Sequence, residues 1–325
     1  MNLVCQREQA VTDINTIYPA DQISLREVGL RDGLQMVKTF PTTQGKIDWI
    51  HQEYDAGIRH FELGTFLPKD RYPVFADIQV LIDTVAALPC AYGSGLSPNK
   101  IGSQNAVSSG ISEIHCVVSV SEAHNQANLK RTRETTLREI FDLCALRTKM
   151  DSPPKIGVGL AMSFGCSLSG SVDPAEVLEL AEQCYDAGVD IVSIADTVGY
   201  AGPKQVENLA AGMYKVAGNR PFGVHLHDTR GMGLANAAAA IGQGARVLDA
   251  SLGGLGGCPA APNATGNIVM EDLVYLCQTS GFETGVNLKK LIAVLDVLRR
   301  EMPDETLYGG MAKAGLPMVE MADQK

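Results

Sequence analysis

Two short motifs carry side chains of the types and spacing that bind a cation and stabilise a negative charge. The stretch EVGLRDGLQ, residues 27–35, places Arg31 and Asp32 directly after an apolar run. The stretch FGVHLHD carries His225 and His227 two positions apart. Residues i and i+2 of a strand face the same way, so both imidazoles project together and can bind one cation.

Other polar side chains stand at the ends of apolar runs. Glu62 lies in FELGTF, Asp196 closes IVSIADT, and Asn267 follows a glycine-rich loop. Asp32, the two histidines and the Asn267 carbonyl form a mixed nitrogen and oxygen set, which suits Mg²⁺ or Mn²⁺ with positions open for substrate oxygens. Each feature alone has another interpretation: HxH as a hydrogen-bonded pair, RDG as a turn with a salt bridge, and buried acids as partners of arginines.

The loop before Asn267 has an unusual composition. SLGGLGGCPAAPNATGN, residues 251–267, concentrates glycine and proline around Cys258, so it predicts neither a helix nor a central strand. One hypothesis is a mobile lid that carries Cys258 over the site as an acid/base group. The alternative is a flexible surface loop with an incidental thiol. The other cysteines lie in apolar or helical contexts typical of small core residues.

The elements that must position these residues alternate along the chain. Apolar stretches with i, i+3, i+4 spacing, such as DPAEVLELAEQCYDAG, indicate helices between the strand candidates. The strand candidates are ISLREVGL, HFELGTF, CAYGSGL, EIHCVVSV, KIGVGLAM, IVSIADT, FGVHLHD and RVLDASLGG.

A glycine recurs between a helix and the next strand, in DAGIRHFELGT, SSGISEIHCVVSV, DAGVDIVSIADT and GQGARVLDASLGG. This recurrence favours an α/β fold of the (β/α)8 TIM barrel type. A doubly wound open sheet is the rival, but VGLRDGLQ is not the GxGxxG turn it would need. We expect one domain, with the barrel at about 22–285 and a short C-terminal helical extension at about 286–325. In a barrel, function lies where strands end, on the C-terminal face.

Composition excludes several classes of partner. The chain has 325 residues, 45% of them apolar, and a net charge of −10. The negative charge argues against nucleic acid and anionic membrane surfaces, and no apolar run approaches the roughly 18 residues of a membrane span. The terminal stretches carry no recognisable address, so the sequence predicts a cytoplasmic protein with reduced thiols.

Several stretches are similar to one known family. VGLRDGLQ, VHLHDTRGMGLAN, GLGGCPAAPNATGN and EDLVYL followed by TGVNLKKL resemble the 3-hydroxy-3-methylglutaryl-CoA lyases of the DRE-TIM metallolyase superfamily, over about residues 22–300. RDG and HxH also occur in the synthases and aldolases of that superfamily. The GLGGC loop is typical of the lyase branch.

The resemblance implies a divalent-metal-dependent cleavage of 3-hydroxy-3-methylglutaryl-CoA to acetyl-CoA and acetoacetate, a step of leucine catabolism, by a homodimer or higher homo-oligomer. It assigns Arg31 to the thioester carbonyl and enolate, Glu62 and Asp196 to supporting acids, and Cys258 to the lid. Either Asp32 or His225 takes the hydroxyl proton. The implied metal ligands are Asp32, His225, His227 and Asn267.

The chain departs from the family pattern near the expected acyl pocket. Leu30 precedes the motif RDGLQ where proline is usual, Met36 and Val37 follow this motif where Asn-Glu is usual, and residues 63–65 and 121–132 also differ. Related substrates, such as citramalyl-CoA or a longer-branched glutaryl-CoA, therefore stay open.

Two alternatives to a lyase remain. A synthase or aldolase of the superfamily shares RDG and HxH but not the GLGGC loop, and a silent barrel would bind no divalent ion. Lys69 and Arg131 are candidate phosphate contacts, although most surface charges are only solvated.

Overall fold

The strands close into a parallel barrel. The structure is a computed structural model that describes residues 13–258 and 261–317, without side chains for 257–265. Eight parallel strands follow in chain order, and the eighth pairs with the first. The predicted (β/α)8 TIM barrel is therefore confirmed. The strands are β1 Ser24–Glu27, β2 His60–Thr65, β3 Tyr92–Leu96, β4 Glu113–Ser119, β5 Lys155–Ala161, β6 Ile191–Asp196, β7 Phe222–Leu226 and β8 Val247–Ala250.

Helices surround the barrel and continue beyond it. Of the C-terminal helices, α11 packs against α2 and α10, and α12 packs against α10. The division into barrel and extension stays a prediction. The described α-helices are α1 Ile14–Ile17, α2 Thr43–Ala56, α3 Ile78–Ala86, α4 Lys100–Val107, α5 Glu122–Leu129, α6 Arg133–Arg147, α7 Pro174–Asp186, α8 Pro203–Ala217, α9 Gly233–Gly242, α10 Met270–Thr279, α11 Leu288–Glu301 and α12 Gly310–Ala314.

Helix α7 shows how the sequence signals act locally. The Asp173 side chain accepts a hydrogen bond from the Ala175 amide, and Pro174 occupies the first turn, where a missing N–H costs nothing. Val177 and Leu180 on one face are buried against the barrel. The helix predicted from DPAEVLELAEQCYDAG is confirmed.

The recurrent glycines let the chain turn from each of four helices into the next strand. All adopt positive φ, which an L-residue with a Cβ atom disfavours. They are Gly57, Gly110, Gly188 and Gly244.

Helix α1 closes the N-terminal end of the barrel. Ile17 and Tyr18 pack with Ile191 and Val247 in a small buried cluster, and the Tyr18 hydroxyl donates to Glu113 Oε2 at 2.8 Å. This end is filled with side chains, so the C-terminal end is left for a site.

The glycine-rich run after β8 lies over that C-terminal end. It begins with a 3₁₀ turn at Leu252–Gly254 and continues into a separate antiparallel pair, β9 Gly257–Cys258 and β10 Ala261–Thr265. In the described part of this run there is neither an α-helix nor a barrel strand, as predicted. Within residues 13–258 and 261–317, no helix has the length and apolar character that crossing a membrane requires.

Candidate active site

Strand ends bring most of the predicted residues to one cavity. Arg31 and Asp32 follow β1, Glu62 lies in β2, and His225 and His227 lie at the end of β7. All five line a cavity of about 540 Å³ that opens at the C-terminal face. The barrel has therefore joined motifs that are far apart in sequence.

A cluster of three ligand atoms lies in this cavity. One oxygen of Asp32 and one ring nitrogen each of His225 and His227 all lie within 4.8 Å of one another. The Nε2 atoms of the two imidazoles are 3.0 Å apart, and His227 Nε2 is 3.7 Å from Asp32 Oδ2. The two imidazoles therefore project together, as the HxH spacing predicts. Strand β8 lies between β1 and β7 in the closed barrel, which brings Asp32 close to the histidines.

Asn267 joins the cluster from the end of the glycine-rich run. A backbone bridge pairs it with His227, and its Nδ2 donates to Asp32 Oδ2 at 2.8 Å. Its Oδ1 is buried and has no hydrogen-bond partner. Because a buried amide oxygen is normally satisfied, this oxygen is available to a cation.

Electrostatics prepare the cluster for metal binding. Burial opposes ionisation of Asp32, but the Arg31 guanidinium and the two imidazoles hold the pKa of this carboxyl well below its usual range. Burial and the charge on His225 lower the pKa of His227 to about 4. At neutral pH Asp32 is thus ionised and His227 is neutral, as metal ligands must be.

The Arg31 guanidinium lies against two carboxylates at the cavity wall. Its Nη1 donates to Asp32 Oδ1 at 2.6 Å, and its Nε is 2.8 Å from Glu62 Oε2. Gln35 Nε2 also donates to Asp32 Oδ1 at 2.9 Å. Gln35 was not predicted, although it lies in the RDGLQ motif itself.

Asp249 in β8 is a second site residue that the sequence analysis missed. Its Oδ2 is 3.1 Å from His225 Nδ1, and its Oδ1 accepts from Arg26 Nε at 2.6 Å. Burial disfavours the imidazolium, yet Asp249 raises the pKa of His225 above its ordinary value. This pair orients His225 so that Nε2 faces the cluster. An acid inside the apolar run VLDA was the available signal, since a buried carboxylate needs a partner.

Asp196 is buried at the end of β6 but has other partners. Its two oxygens accept hydrogen bonds from the backbone amides of Tyr200 and Ala201, at 2.8 and 3.0 Å. Burial is the main cause that raises the pKa of Asp196. These contacts order the loop after β6, so the acid role of Asp196 stays a prediction.

The Cys258 side chain is outside the described part, and its lid role stays a prediction. Arg131 and Lys69, the candidate phosphate contacts, lie outside the cluster. Arg131 donates to the Pro98 carbonyl and to Thr136 Oγ1, so its guanidinium serves the local fold. Lys69 is exposed near the end of β2.

The observed donors fit a divalent cation. The Nδ1 atom of His225 faces Asp249, which leaves its Nε2 lone pair directed at His227 Nε2. Two such lone pairs at hydrogen-bond distance repel unless a proton or a cation lies between them. With the Asp32 carboxylate and the unpartnered Asn267 oxygen, these four residues offer two nitrogens and two oxygens and no thiolate.

Several of the positions at which the sequence departs from the family pattern line the same cavity. Met36 lies at its rim, Thr65 in its wall, and His124 and Asn128 of α5 on another side. The Thr65 hydroxyl donates to the Leu96 carbonyl at 3.0 Å, so its methyl group is left for contacts in the cavity. These side chains shape the space around a substrate.

Several known proteins are similar to this chain in sequence. The family model named HMGL-like matches residues 22–298. The hydroxymethylglutaryl-CoA lyase YngG of Bacillus subtilis is 33% identical over 88% of this chain and 94% of its own length. The (R)-citramalyl-CoA lyase of Chloroflexus aurantiacus is 35% identical over 93% of this chain and 98% of its own length.

Solved structures of HMG-CoA lyases have a similar fold. An HMG-CoA lyase from Acinetobacter baumannii, in complex with coenzyme A and 3-methylmalate, superposes with a TM-score of 0.84 at 34% identity, covering 92% of this chain and 97% of that one. The Bacillus subtilis HMG-CoA lyase gives a TM-score of 0.85 at 31% identity, covering 91% and 98%. The chain therefore belongs to the HMGL-like family, and it is a carbon–carbon lyase of the HMG-CoA lyase type.

Proposed function

We propose that the protein is a divalent-metal-dependent lyase that cleaves a 3-hydroxy-3-methyl acyl-CoA and releases acetyl-CoA. The observation that carries this proposal is the cluster of Asp32, His225 and His227 beside Asn267. The three clustered residues line the same cavity as Arg31. The first substrate we propose is 3-hydroxy-3-methylglutaryl-CoA, with acetoacetate as the second product. The cation is Mg²⁺ or Mn²⁺.

The residues divide the chemistry between them. Asp32, His225, His227 and Asn267 would hold the cation, which supplies Lewis-acid polarisation of the substrate hydroxyl when it is bound. A base removes the hydroxyl proton, the carbon–carbon bond breaks, and its electron pair passes into the thioester enolate. Arg31 donates hydrogen bonds to the developing enolate oxygen.

Two proton-transfer roles complete the cycle. Both candidate bases, Asp32 and His225, are also proposed ligands, so the base must take the proton on an atom that does not hold the cation. Asp32 has a second carboxylate oxygen for this, whereas Nδ1 of His225 already faces Asp249. Protonation of the enolate carbon then gives acetyl-CoA, and we propose Cys258 as the donor. Glu62 orients Arg31 through their ion pair.

A second substrate has specific support. The (R)-citramalyl-CoA lyase is as similar to this chain as the HMG-CoA lyase relatives are. The cavity wall also carries the departures at Met36 and Thr65. Citramalyl-CoA is therefore the alternative substrate, with the same bond cleavage and the same metal.

A cleavage assay tests the proposal. Both acyl-CoA thioesters are offered side by side with Mg²⁺ or Mn²⁺, and acetyl-CoA release is followed with and without a chelator. We expect chelator-sensitive cleavage of 3-hydroxy-3-methylglutaryl-CoA. Preference for citramalyl-CoA would change the substrate and retain the mechanism, whereas cleavage that persists in chelator would refute the metal dependence. We also propose a homodimer or higher homo-oligomer and a cytoplasmic location, which a measurement of molecular size and a localisation experiment test.

A further inference from the structure

Glu27 contacts the two loops that carry the proposed metal ligands Asp32 and Asn267. It is the last residue of β1 and is fully buried. One carboxylate oxygen accepts from the Gly29 amide at 2.5 Å, and the other accepts from the Leu252 amide at 2.9 Å. The two loops are 225 residues apart in the chain, so this one carboxylate connects the segment after β1 to the segment after β8.

Each hydrogen bond leads to a proposed ligand. On the β1 side, the Gly29 carbonyl accepts from the Leu34 amide at 2.9 Å, which closes the turn that presents Asp32. On the β8 side, the Leu255 amide donates to the Leu252 carbonyl at 3.2 Å, and the Leu255 carbonyl accepts from Asn267 Nδ2 at 3.3 Å.

The side chains and backbone around Glu27 are closely packed. A Cβ atom at Gly29 would lie 2.4 Å from Glu27 Oε1 and 2.8 Å from both Ser251 Oγ and the Trp49 ring. The carboxylate is thus held between β1, α2 and the β8 loop, and a shift of either loop would break one of its hydrogen bonds.

A second acid completes the arrangement from α2. Glu53 is fully buried and interacts with Glu27, and burial raises the pKa of both carboxyls, that of Glu27 to about 8. The pair therefore keeps at least one proton at neutral pH. Glu27 accepts the hydrogen bonds from the Gly29 and Leu252 amides, and neither comes from a cationic group.

We infer that Glu27 is a positioning residue, which sets the separation of the Asp32 and Asn267 loops through its two oxygens. This inference rests on the proposed metal site. Glu27 touches neither the cation nor the substrate, and it acts through the backbone of both loops. A loop separation that is wrong by a fraction of an ångström would weaken the ligand set and slow turnover together.

The neighbouring Glu271 provides a matched control. It is also fully buried, but only its Oε2 is bonded, to the Gly253 amide at 2.9 Å, while Oε1 has no partner. In Glu271→Gln the amide oxygen can keep that bond and the NH₂ group can take the open side. In Glu27→Gln the NH₂ group must face one of the two backbone N–H donors.

The experiment measures Mn²⁺ binding by titration calorimetry, kcat at saturating substrate, and thermal stability for wild type, Glu27→Gln and Glu271→Gln. We expect both variants to fold, with Glu27→Gln melting at the lower temperature because it leaves a buried N–H without an acceptor. Only Glu27→Gln should raise the Mn²⁺ Kd and lower kcat, each by about tenfold or more, the factor for one buried donor left unsatisfied. If wild type does not bind Mn²⁺, the proposed function fails.

Other results would overturn the inference alone. The inference is wrong if wild type binds Mn²⁺ and Glu27→Gln shows unchanged Kd and kcat. Equal losses in Glu27→Gln and Glu271→Gln would also contradict it, since they would show a general packing effect. If Glu27→Gln does not fold, Glu27→Asp keeps the carboxyl group but is one methylene shorter, and we expect an intermediate rise in Kd. Wild-type binding and turnover in Glu27→Asp would also overturn it.

Discussion

At the scale of single residues, two carboxylates fix the position of the Arg31 guanidinium. Asp32 and Glu62 hold the guanidinium against the cavity wall, so its position is set before a substrate arrives. A preorganised donor of this kind stabilises charge that develops only in the transition state. Asp32 is at the same time a proposed metal ligand, and one motif therefore serves both halves of the reaction.

Replacing Arg31 separates these two roles. In Arg31→Met we expect turnover to fall by at least about 10²-fold, the scale for an oxyanion donor. The carboxylate of Asp32 remains, so Mn²⁺ binding by titration calorimetry should persist. Turnover close to that of wild type would refute the role of Arg31 in stabilising the enolate.

Replacing Asp249 tests the orientation of His225. In Asp249→Asn the charged partner of Nδ1 is lost, and we expect the Mn²⁺ Kd to rise about 10- to 100-fold, the usual cost of losing a partner behind a ligand. The exposed Asp296, whose side chain is 78% accessible, supplies the control Asp296→Asn. Equal affinities for both variants would contradict the assignment.

At the scale of elements, the turns between helices and strands depend on glycine to different degrees. Gly57 has φ +115°, and an added Cβ atom would lie 2.2 Å from the Gly285 carbonyl oxygen. Gly188 has φ +96°, but the nearest atom to such a Cβ is a flexible Arg147 nitrogen at 3.7 Å. Only backbone strain therefore opposes a side chain at Gly188.

These two glycines make a paired prediction. Gly188→Ala should lower the free energy of unfolding by about 1–2 kcal/mol, the cost of a left-handed residue. Gly57→Ala should lower it further, because the backbone carbonyl must also move. Urea denaturation of both variants measures the difference, and equal losses would show that φ alone decides.

The contact between α1 and β2 predicts a pH effect on stability. His60 Nε2 lies 2.9 Å from the Ile17 carbonyl oxygen, and burial lowers the pKa of His60 to about 3. The folded pKa is below the unfolded value of about 6.5, so the unfolded state takes up the proton first. Stability from this residue is complete above pH 6.5 and is lost as the pH falls toward 3.

His60→Gln should reduce that acid sensitivity. Between pH 6.5 and 4.5 we expect wild type to lose up to about 1.4 kcal/mol per pH unit more than the variant, the value for one proton. Urea midpoints at several pH values measure the two slopes. Identical slopes would mean that other groups dominate acid unfolding.

At the scale of the whole molecule, the proposed metal ligands come from both ends of the barrel sequence. Asp32 follows β1, His225 lies in β7 with His227 directly after that strand, and Asn267 follows β8. A bound cation would therefore connect the first strand to the last two across the point where the barrel closes. Binding that requires the folded state raises its stability.

A thermal-shift titration checks this coupling. We expect Mn²⁺ to raise the melting temperature of wild type, by an amount that grows with concentration as RT ln(1 + [L]/Kd). His227→Ala should remove most of the shift and most of the activity. A variant that loses the shift yet keeps turnover would exclude the metal mechanism.

Local patterns in the sequence determined the elements and the identities of several site residues. Apolar spacing reports which backbone a short segment adopts and which side it buries, so the strand–helix alternation, the helix at DPAEVLELAEQCYDAG and the recurrent glycines were predictable. The HxH spacing has the same local origin, because alternation along one strand suffices to put His225 and His227 on one face.

Only the tertiary structure decided which side chains meet. Asn267 donates to Asp32 across 235 residues, Glu27 reaches Leu252 across 225, and Asp249 meets His225 from a neighbouring strand. Asp196, predicted with the same logic as Glu62, instead holds its own loop. Such pairings follow from barrel closure and strand register, which arise from the packing of all eight units and leave no mark in a short stretch of sequence.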